Sequence, residues 1–188
     1  MKFPSHDETT APEASKPLLA ASQKAFGRLP GLHKVLAESP QAYEGYQVLH
    51  KLFTETDFDA EELTVVWQSI NVEHECHYCV PAHTGIAKMM KVSDEISEAL
   101  RDETPLPTPK LEALRSFTVQ MVRSRGNVSE VQMQAFFDAG YGHRAVLDVI
   151  LGLAQKTMSN YINHVAETPV DEVFQPLAWR RGDKPLAA

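Results

Sequence analysis

The strongest constraint on the fold is a series of helix-start signals, each followed by apolar residues at helical spacing. Ser39 and Thr108 each precede a proline, so both positions supply an N-cap residue followed by proline at the first helical position. Asp59 and Ser129 each precede a Glu or Gln by three residues, as in a capping box. No stretch shows the alternating pattern of a half-buried strand. Together with the length of 188 residues, this pattern predicts a single all-α domain.

Two further segments carry predictions about packing. Residues 145–154 are apolar nearly all round, which predicts a central, buried helix. The final residues, from 178 onward, are predicted to form an extended arm that contains Trp179 and two arginines. Such an arm either docks on a neighbouring subunit through Trp179 or is a mobile tail.

The chain has two cysteines, Cys76 and Cys79, with His83 four residues beyond the second. If the segment is helical, the three side chains lie within about 60° of one another on one face. A disulfide between positions i and i+3 is then reachable. A thiol near a helix N-terminus with an imidazole one turn away is expected to have a lowered pKa. Redox chemistry is therefore the leading hypothesis, with His83 placed to deprotonate Cys79.

Three other interpretations of the cysteine pair stay open. A structural zinc site needs four ligands, and this segment supplies three, with His74 or His77 as the only local fourth ligand. Two inert cysteines in the core are a second possibility, because free cysteine is among the most buried residue types. A structural disulfide is the third, although a bond that closes so short a loop stabilises a protein little.

Composition limits the classes of binding partner and the cellular compartment that are expected. The formal net charge is −7, and no run of lysine or arginine occurs, which argues against a nucleic-acid or anionic-membrane partner. The first 17 residues contain no apolar signal-peptide core, and nowhere do eighteen apolar residues run together. We therefore predict a cytoplasmic protein, where a CxxC pair is more often catalytic than structural. Neither a cofactor nor a bound metal is predicted.

The segment Cys-His-Tyr-Cys-Val-Pro-Ala-His at residues 76–83 resembles the C-x-[HY]-C-x-x-x-H motif of the AhpD-like alkylhydroperoxidases, within the carboxymuconolactone decarboxylase superfamily. The similarity extends to residues 27–40 and to two C-terminal segments, 139–141 and 160–164. It covers residues 25–175, which leaves predicted arms at 1–24 and 176–188.

The resemblance implies an all-helical homo-oligomer. Its paired cysteines are expected to reduce small or lipid hydroperoxides, or to relay electrons within a peroxidase system. A dithiol compound or a reductase protein is expected to restore the pair. The implied function is thus that of a thiol-dependent peroxidase.

One departure from the family pattern concerns the proton relay. The glutamate of the relay usually lies twelve residues before the first cysteine, and that position is Thr64 in this chain. Relatives with a Val-Glu-x-x-Cys segment carry a carboxylate at the position of Glu73, so Glu73 is predicted to be the acid/base partner of His83, with Glu75 as the other choice. Cys79 is predicted to attack the peroxide, and Cys76, expected to be the more exposed, to resolve the sulfenic acid.

Two alternatives to a peroxidase are kept. The first is a lactone decarboxylase or isomerase of the same superfamily, with His83 as the acid/base. The second is a non-enzymatic helical protein that binds a metal or another protein. Peroxide-dependent consumption of a dithiol would separate the peroxidase from both.

Overall fold

Helices form all the regular secondary structure of residues 3–182, the part of the chain that the computed structural model describes. The α-helices are α1 Lys16–Phe26, α2 Gly31–Leu36, α3 Pro40–Thr54, α4 Ala60–Glu73, α5 Cys79–Met89, α6 Asp94–Arg101, α7 Pro109–Ser124, α8 Glu130–Asp138 and α9 His143–Ala166. Short 3-10 helices cover Glu13–Ser15 and Glu172–Leu177. The prediction of a single all-α domain is confirmed.

The predicted helix starts are observed with their capping contacts. The Ser39 and Thr108 side chains accept hydrogen bonds from backbone N–H groups at the starts of α3 and α7. Asp59 and Ser129 form complete capping boxes at the starts of α4 and α8. These starts depend on residues three positions apart, so the local sequence is sufficient to define them.

The central helix is α4. Every residue from Glu62 to Val72 is buried, and α5, α6, α7 and α9 all pack against this helix. The prediction that residues 145–154 form the central buried helix was wrong, because Leu147 and Ile150 of α9 are 66% and 43% exposed. One face of α9 packs on α3 and α4, and an apolar face remains uncovered.

At Gly152 the backbone of α9 passes close to side chains of the core. A Cβ atom at this position would lie 2.7 Å from the Phe53 ring and 2.9 Å from Val66. We expect Gly152→Ala to lower the free energy of unfolding by about 1–3 kcal/mol through overpacking. A Cβ atom at Gly45 in α3 would have no neighbour within 4 Å, so Gly45→Ala should instead raise the free energy of unfolding by about 0.5–1 kcal/mol. Urea denaturation of both variants measures the contrast, and equal effects would contradict it.

The two ends of the described chain pack against the helical core. Residues 16–24 of the predicted N-terminal arm form most of α1, whose Leu19 is buried. Trp179 is also buried, packs with Val72 and Val80, and donates a 3.1 Å hydrogen bond to the Arg101 carbonyl. The expectation of an exposed Trp179 was wrong, and residues 183–188 of the predicted arm lie outside the described range. Among residues 3–182, no helix has the length and apolar character needed to cross a membrane.

Candidate active site

The two cysteines do not share a helix. The central helix α4 ends at Glu73, and a turn with Glu75 at φ 51° leads to Cys76. Cys79 is the first residue of α5, and its backbone N–H donates to Cys76 Sγ at 3.3 Å. The predicted single helix is therefore corrected: Cys76 lies in the turn and its sulfur accepts one of the free N–H groups at the helix start.

Both cysteines are free and buried, and Cys79 lines a large cavity that Cys76 does not line. Cys76 is 0% exposed and Cys79 is 2% exposed. Cys79 lines a cavity of about 360 Å³, and Cys76 is not among the lining residues. The expectation that Cys76 is the more exposed cysteine was wrong. A small molecule in the cavity meets Cys79 first.

Buried polar side chains hold the cysteine segment in place. The Cys76 N–H donates to the Asn71 carbonyl at 2.9 Å, and the Asn160 amide donates to the Asn71 side chain at 3.0 Å. Gln68 donates to the Val80 carbonyl at 3.1 Å. The backbone carbonyl of Asn71 thus satisfies the turn, and the Gln68 amide satisfies a carbonyl in the first turn of α5, which ties the cysteine segment to α4.

The walls of the cavity are largely apolar and aromatic. They come from α1, α2, α3, α5, α9 and the C-terminal segment, and include Ala25, Phe26, Leu32, Tyr46, Ile86, Met89 and Phe174. His33 and His50 also contribute, and burial lowers the pKa of each to about 4. Both rings are therefore neutral near pH 7, and this part of the wall favours an uncharged, apolar guest.

A buried lysine contacts the predicted histidine. Lys156 of α9 is 1% exposed, lines the cavity, and lies 2.9 Å from His83 Nε2 through its Nζ atom. Because a lysine ammonium can only donate, His83 Nε2 accepts, and the imidazole proton belongs on Nδ1. Within residues 3–182, His83 Nδ1 has no hydrogen-bond partner.

This contact changes the predicted role of His83. Burial, followed by the charge of Lys156, lowers the pKa of His83 well below its ordinary value. The imidazole is thus neutral, and its basic nitrogen already accepts a hydrogen bond from Lys156. His83 is at the site as predicted, but in this arrangement it is not available as the base that deprotonates Cys79.

The two cysteines differ in acidity. Burial alone would raise the pKa of Cys79, but a hydrogen bond from Cys76, the charge of Lys156, and hydrogen bonds from Asn160 and Asn163 lower it to about 5. Asn163 Nδ2 donates to Cys79 Sγ at 3.3 Å. The pKa of Cys76 is raised, first by its hydrogen bond to Cys79 and then by burial. These contacts favour ionisation of Cys79 over that of Cys76, with the Cys76 thiol as a donor to the Cys79 sulfur.

The predicted carboxylate lies elsewhere. Glu73 accepts two hydrogen bonds from Arg123, at 2.7 and 2.8 Å, and lines a second, polar cavity of about 240 Å³. Glu75 pairs with Arg181 at 3.2 Å, and the Thr64 hydroxyl donates to the Ala60 carbonyl. None of the three lines the cysteine cavity. We therefore assign the contact with His83 to Lys156 instead of Glu73.

Sequence reasoning missed Lys156, although one signal pointed to it. It directly follows Gln155 at the end of the apolar run, so it is a cation beside the apolar segment 145–154. A lysine is almost never fully buried unless it is paired. The partners of such a lysine depend on the tertiary fold, and His83 is far away along the chain.

The histidines and acidic residues do not assemble into a metal centre in the described structure. Between residues 3 and 182, no group of three or more His, Cys, Asp and Glu side chains is arranged to hold a metal ion. The fourth zinc ligand considered from the sequence is engaged otherwise, because His74 contacts Asn160 at 2.9 Å and His77 contacts the Thr168 carbonyl at 3.0 Å. The cysteine pair has no zinc ligand set in this part of the chain.

Solved structures with this fold include two bacterial peroxidase-related proteins. One is an uncharacterized peroxidase-related protein with an alkylhydroperoxidase AhpD core from Ralstonia eutropha JMP134, with a TM-score of 0.83 and 16% identity over 98% of this chain and 97% of that one. The other is an uncharacterized peroxidase-related protein from Silicibacter sp. TM1040. Its TM-score is 0.77, with 16% identity over 93% of this chain and 92% of that one.

A third similar structure is that of a debrominase, Bmp8, whose C82A variant was solved in complex with 2,3,4-tribromopyrrole. Its TM-score is 0.76, with 14% identity over 93% of this chain and 94% of that one. No protein-family model and no curated protein matches the sequence. At such low identity these likenesses define the fold of the chain, and the argument for an activity has to come from the chemistry of the site.

Proposed function

Because the chain has the AhpD-like helical fold, we propose that it is a thiol-dependent peroxidase, with Cys79 as the attacking cysteine and Cys76 as the resolving one. The observation that carries this proposal is the asymmetry of the pair. Cys79 lines the cavity and its pKa is lowered to about 5, whereas the pKa of the enclosed Cys76 is raised. A nucleophile and a resolving thiol need this difference, because the thiolate is the reacting form.

The reaction begins at the distal oxygen of the hydroperoxide. The Cys79 thiolate forms a bond to that oxygen, the O–O bond breaks, and the alcohol leaves once its oxygen has taken a proton. Cys79 is then a sulfenic acid. Cys76 attacks this sulfur, water leaves with the hydroxyl of the sulfenic acid, and a disulfide remains. The hydroperoxide gains two electrons, which the two cysteines supply.

A dithiol reductant completes the cycle by thiol–disulfide exchange. Its access is through the cavity, where Cys79 is the sulfur within reach. Attack at Cys79 expels Cys76, and the second thiol of the reductant then releases Cys79. The reductant is oxidised to a disulfide, and both cysteines return to the reduced form.

Thiol counting on the reduced protein tests the proposal. One equivalent of alkyl hydroperoxide should take the count from two thiols to none, with the loss of two hydrogens in the intact mass and no added oxygen. Because Cys76 and Cys79 are the only cysteines, the count needs no correction for other thiols. Two thiols left after the addition would refute the proposal, and a stable sulfenic acid with one thiol left would refute the role of Cys76.

A second candidate is reductive dehalogenation of a small aromatic molecule. The cavity favours it, since Phe26, Tyr46 and neutral His50 make part of its wall aromatic and uncharged, and a structural neighbour is a debrominase. The thiolate would take the halogen, the ring would gain a proton, and Cys76 would release halide as the disulfide forms. Halide release from tribromopyrrole without any reaction with hydroperoxides would favour this candidate over the first.

The lactone decarboxylase or isomerase alternative is less well supported. Its acid/base would be His83, whose Nε2 accepts from Lys156 and whose pKa lies far below neutrality. This reaction would also not use the acidic thiol of Cys79. Consumption of a lactone by a variant that lacks both cysteines would restore it.

We also propose that the chain assembles as a homo-oligomer through α9. Leu147, Ile150, Tyr161 and Val165 leave an apolar face of this helix exposed. Exposed apolar surface of this kind typically marks an interaction site. Light scattering should give a multiple of 21.0 kDa, and Leu147→Glu should lower the mass, whereas Val131→Glu, at an exposed position of α8, should not. A wild-type mass near 21 kDa would contradict the proposal.

A further inference from the structure

Peroxide reduction creates a proton demand that the cavity has to meet. When the O–O bond breaks, the leaving oxygen carries the electron pair, and an alkoxide is a poor leaving group unless it is protonated. The walls next to Cys79 are mainly apolar, so bulk water is a poor source of that proton. A residue that lines the cavity is needed as the donor.

Elimination among the lining groups leaves one donor. His33, His50 and His83 are neutral, because burial lowers their pKa values far below 7. Burial raises the pKa values of Tyr46 and Tyr78, so both phenols hold their protons more tightly than usual.

The cations of the cavity wall, Arg28 and Lys156, are the remaining candidates for the proton donor. The Arg28 guanidinium is too weak an acid and is paired with Asp171 at 2.6 Å. Lys156 is the other cation of the wall, and an ammonium, unlike a guanidinium, can transfer a proton.

The surroundings of Lys156 fit this role. An ammonium has three N–H donors, and within residues 3–182 its one hydrogen-bond acceptor is His83 Nε2. Two N–H groups of a fully buried cation therefore remain without a protein acceptor, at a cavity that Cys79 shares. Leaving buried donors unpaired is costly, so the arrangement favours a guest that brings an acceptor atom.

We propose that Lys156 protonates the leaving oxygen of the hydroperoxide, and that His83 is the positioning residue that holds the ammonium by accepting a hydrogen bond from it. This inference rests on the proposed function and assigns the proton donor of that reaction. Lys156 replaces the carboxylate relay that was expected at Glu73, and in the resting state its charge also stabilises the Cys79 thiolate.

The protons balance over the cycle. In the first step the S–O bond forms, the O–O bond breaks, and the proximal oxygen takes a proton from Lys156, which becomes a neutral amine. Disulfide formation consumes the thiol proton of Cys76 and releases water, with no net proton from Lys156. Reduction of the disulfide by a dithiol restores one thiolate and one thiol and releases one proton, which returns Lys156 to the ammonium form.

The test compares two oxidants in single-turnover oxidation of the reduced protein. tert-Butyl hydroperoxide releases an alkoxide that needs a proton, whereas peracetic acid releases acetate, which does not. Quenched samples are analysed by mass spectrometry for loss of the Cys79 thiol. Each rate is divided by the thiolate fraction, obtained from absorbance at 240 nm, so that an effect on ionisation is removed.

Lys156→Met should slow the reaction with tert-butyl hydroperoxide by on the order of 10² or more per thiolate and leave the peracetic acid rate nearly unchanged. Lys156→Arg, which keeps the charge without an available proton, should show the same selective loss with a nearly normal thiolate fraction. The matched control is Lys88→Met, at a half-exposed lysine on α5, which should react with both oxidants as the wild type does.

A wild-type measurement keeps the inference testable if the Lys156 variants do not fold. A solvent isotope effect is expected with tert-butyl hydroperoxide and not with peracetic acid. Equal isotope effects, or equal slowing of both oxidants in the variants, would overturn the role of Lys156 while the peroxidase proposal stands. A wild-type protein that reacts with neither oxidant would refute the proposed function as well.

Discussion

Replacing Cys79 with serine is expected to lower hydroperoxide reduction by on the order of 10⁴ or more, because the attacking atom is lost from a set of groups that act together. Cys79 is the cysteine at the cavity, and no other thiol of the chain can take its place there. Cys76→Ser should instead keep the first oxidation and lose the steps that follow. Stopped-flow mixing of the reduced protein with hydroperoxide, followed by trapping with dimedone, distinguishes the two variants.

In the trapping experiment Cys76→Ser should accumulate a dimedone adduct at Cys79, and Cys79→Ser should give no adduct. Glu73→Gln serves as the control, since the Glu73 carboxylate binds Arg123 and lies outside the cysteine cavity. We expect this variant to retain the wild-type rate. A normal first oxidation in Cys79→Ser, together with its loss in Cys76→Ser, would reverse the assignment of the two cysteines.

Helix starts were predictable because they depend on contacts within four residues. The capping contacts of Ser39, Asp59, Thr108 and Ser129 are all observed, since a side chain and the N–H group that it caps lie in the same turn. Whether a helix is central and buried depends instead on the helices that pack against it. Apolar composition placed residues 145–154 at the centre, but it does not distinguish a helix buried in its own domain from one with an uncovered apolar face.

The site was predictable as far as it is local. Cys79 and His83 are one turn apart on α5, so the motif alone brought them together. Proximity in sequence misled the choice of Glu73, because α4 ends at that residue and its side chain points to Arg123 on α7. Lys156 comes from another helix, and only the packing of α9 beside α5 places it against His83.

Cys79 was predicted as the attacking cysteine from the sequence, but the contribution of the helix start to its acidity required the first residue of α5 to be located. A single helix through both sulfurs would have placed Cys76 nearer its positive end. Because α5 begins at Cys79, this cysteine holds the first helical position, and Cys76 contributes a hydrogen bond. A start displaced by three residues therefore changes which thiol lies at the positive end of the helix.

The rate of alkylation of Cys79 by iodoacetamide is expected to be independent of pH from about pH 8 to pH 6 and to fall about tenfold per unit below pH 5. The sign follows from a lowered pKa. Thiolate predominates above a pKa of about 5, is nearly complete one unit higher, and is lost as the pH falls through the pKa. An ordinary cysteine, with a pKa near 8.5, would lose thiolate throughout the range below pH 8. Rates measured by mass spectrometry of the Cys79 peptide check the midpoint.

Variants at Cys76 test the cause of this acidity. Cys76→Ala removes the donor to the Cys79 sulfur, so the midpoint of the profile should move up, because burial then opposes ionisation with less compensation. Cys76→Ser keeps a hydroxyl donor and should move the midpoint less. The charge of Lys156 is unchanged in both variants, which separates the hydrogen bond from the Coulombic effect. A wild-type midpoint near 8.5, or identical profiles for the two variants, would show that the contact between the cysteines does not set the acidity of Cys79.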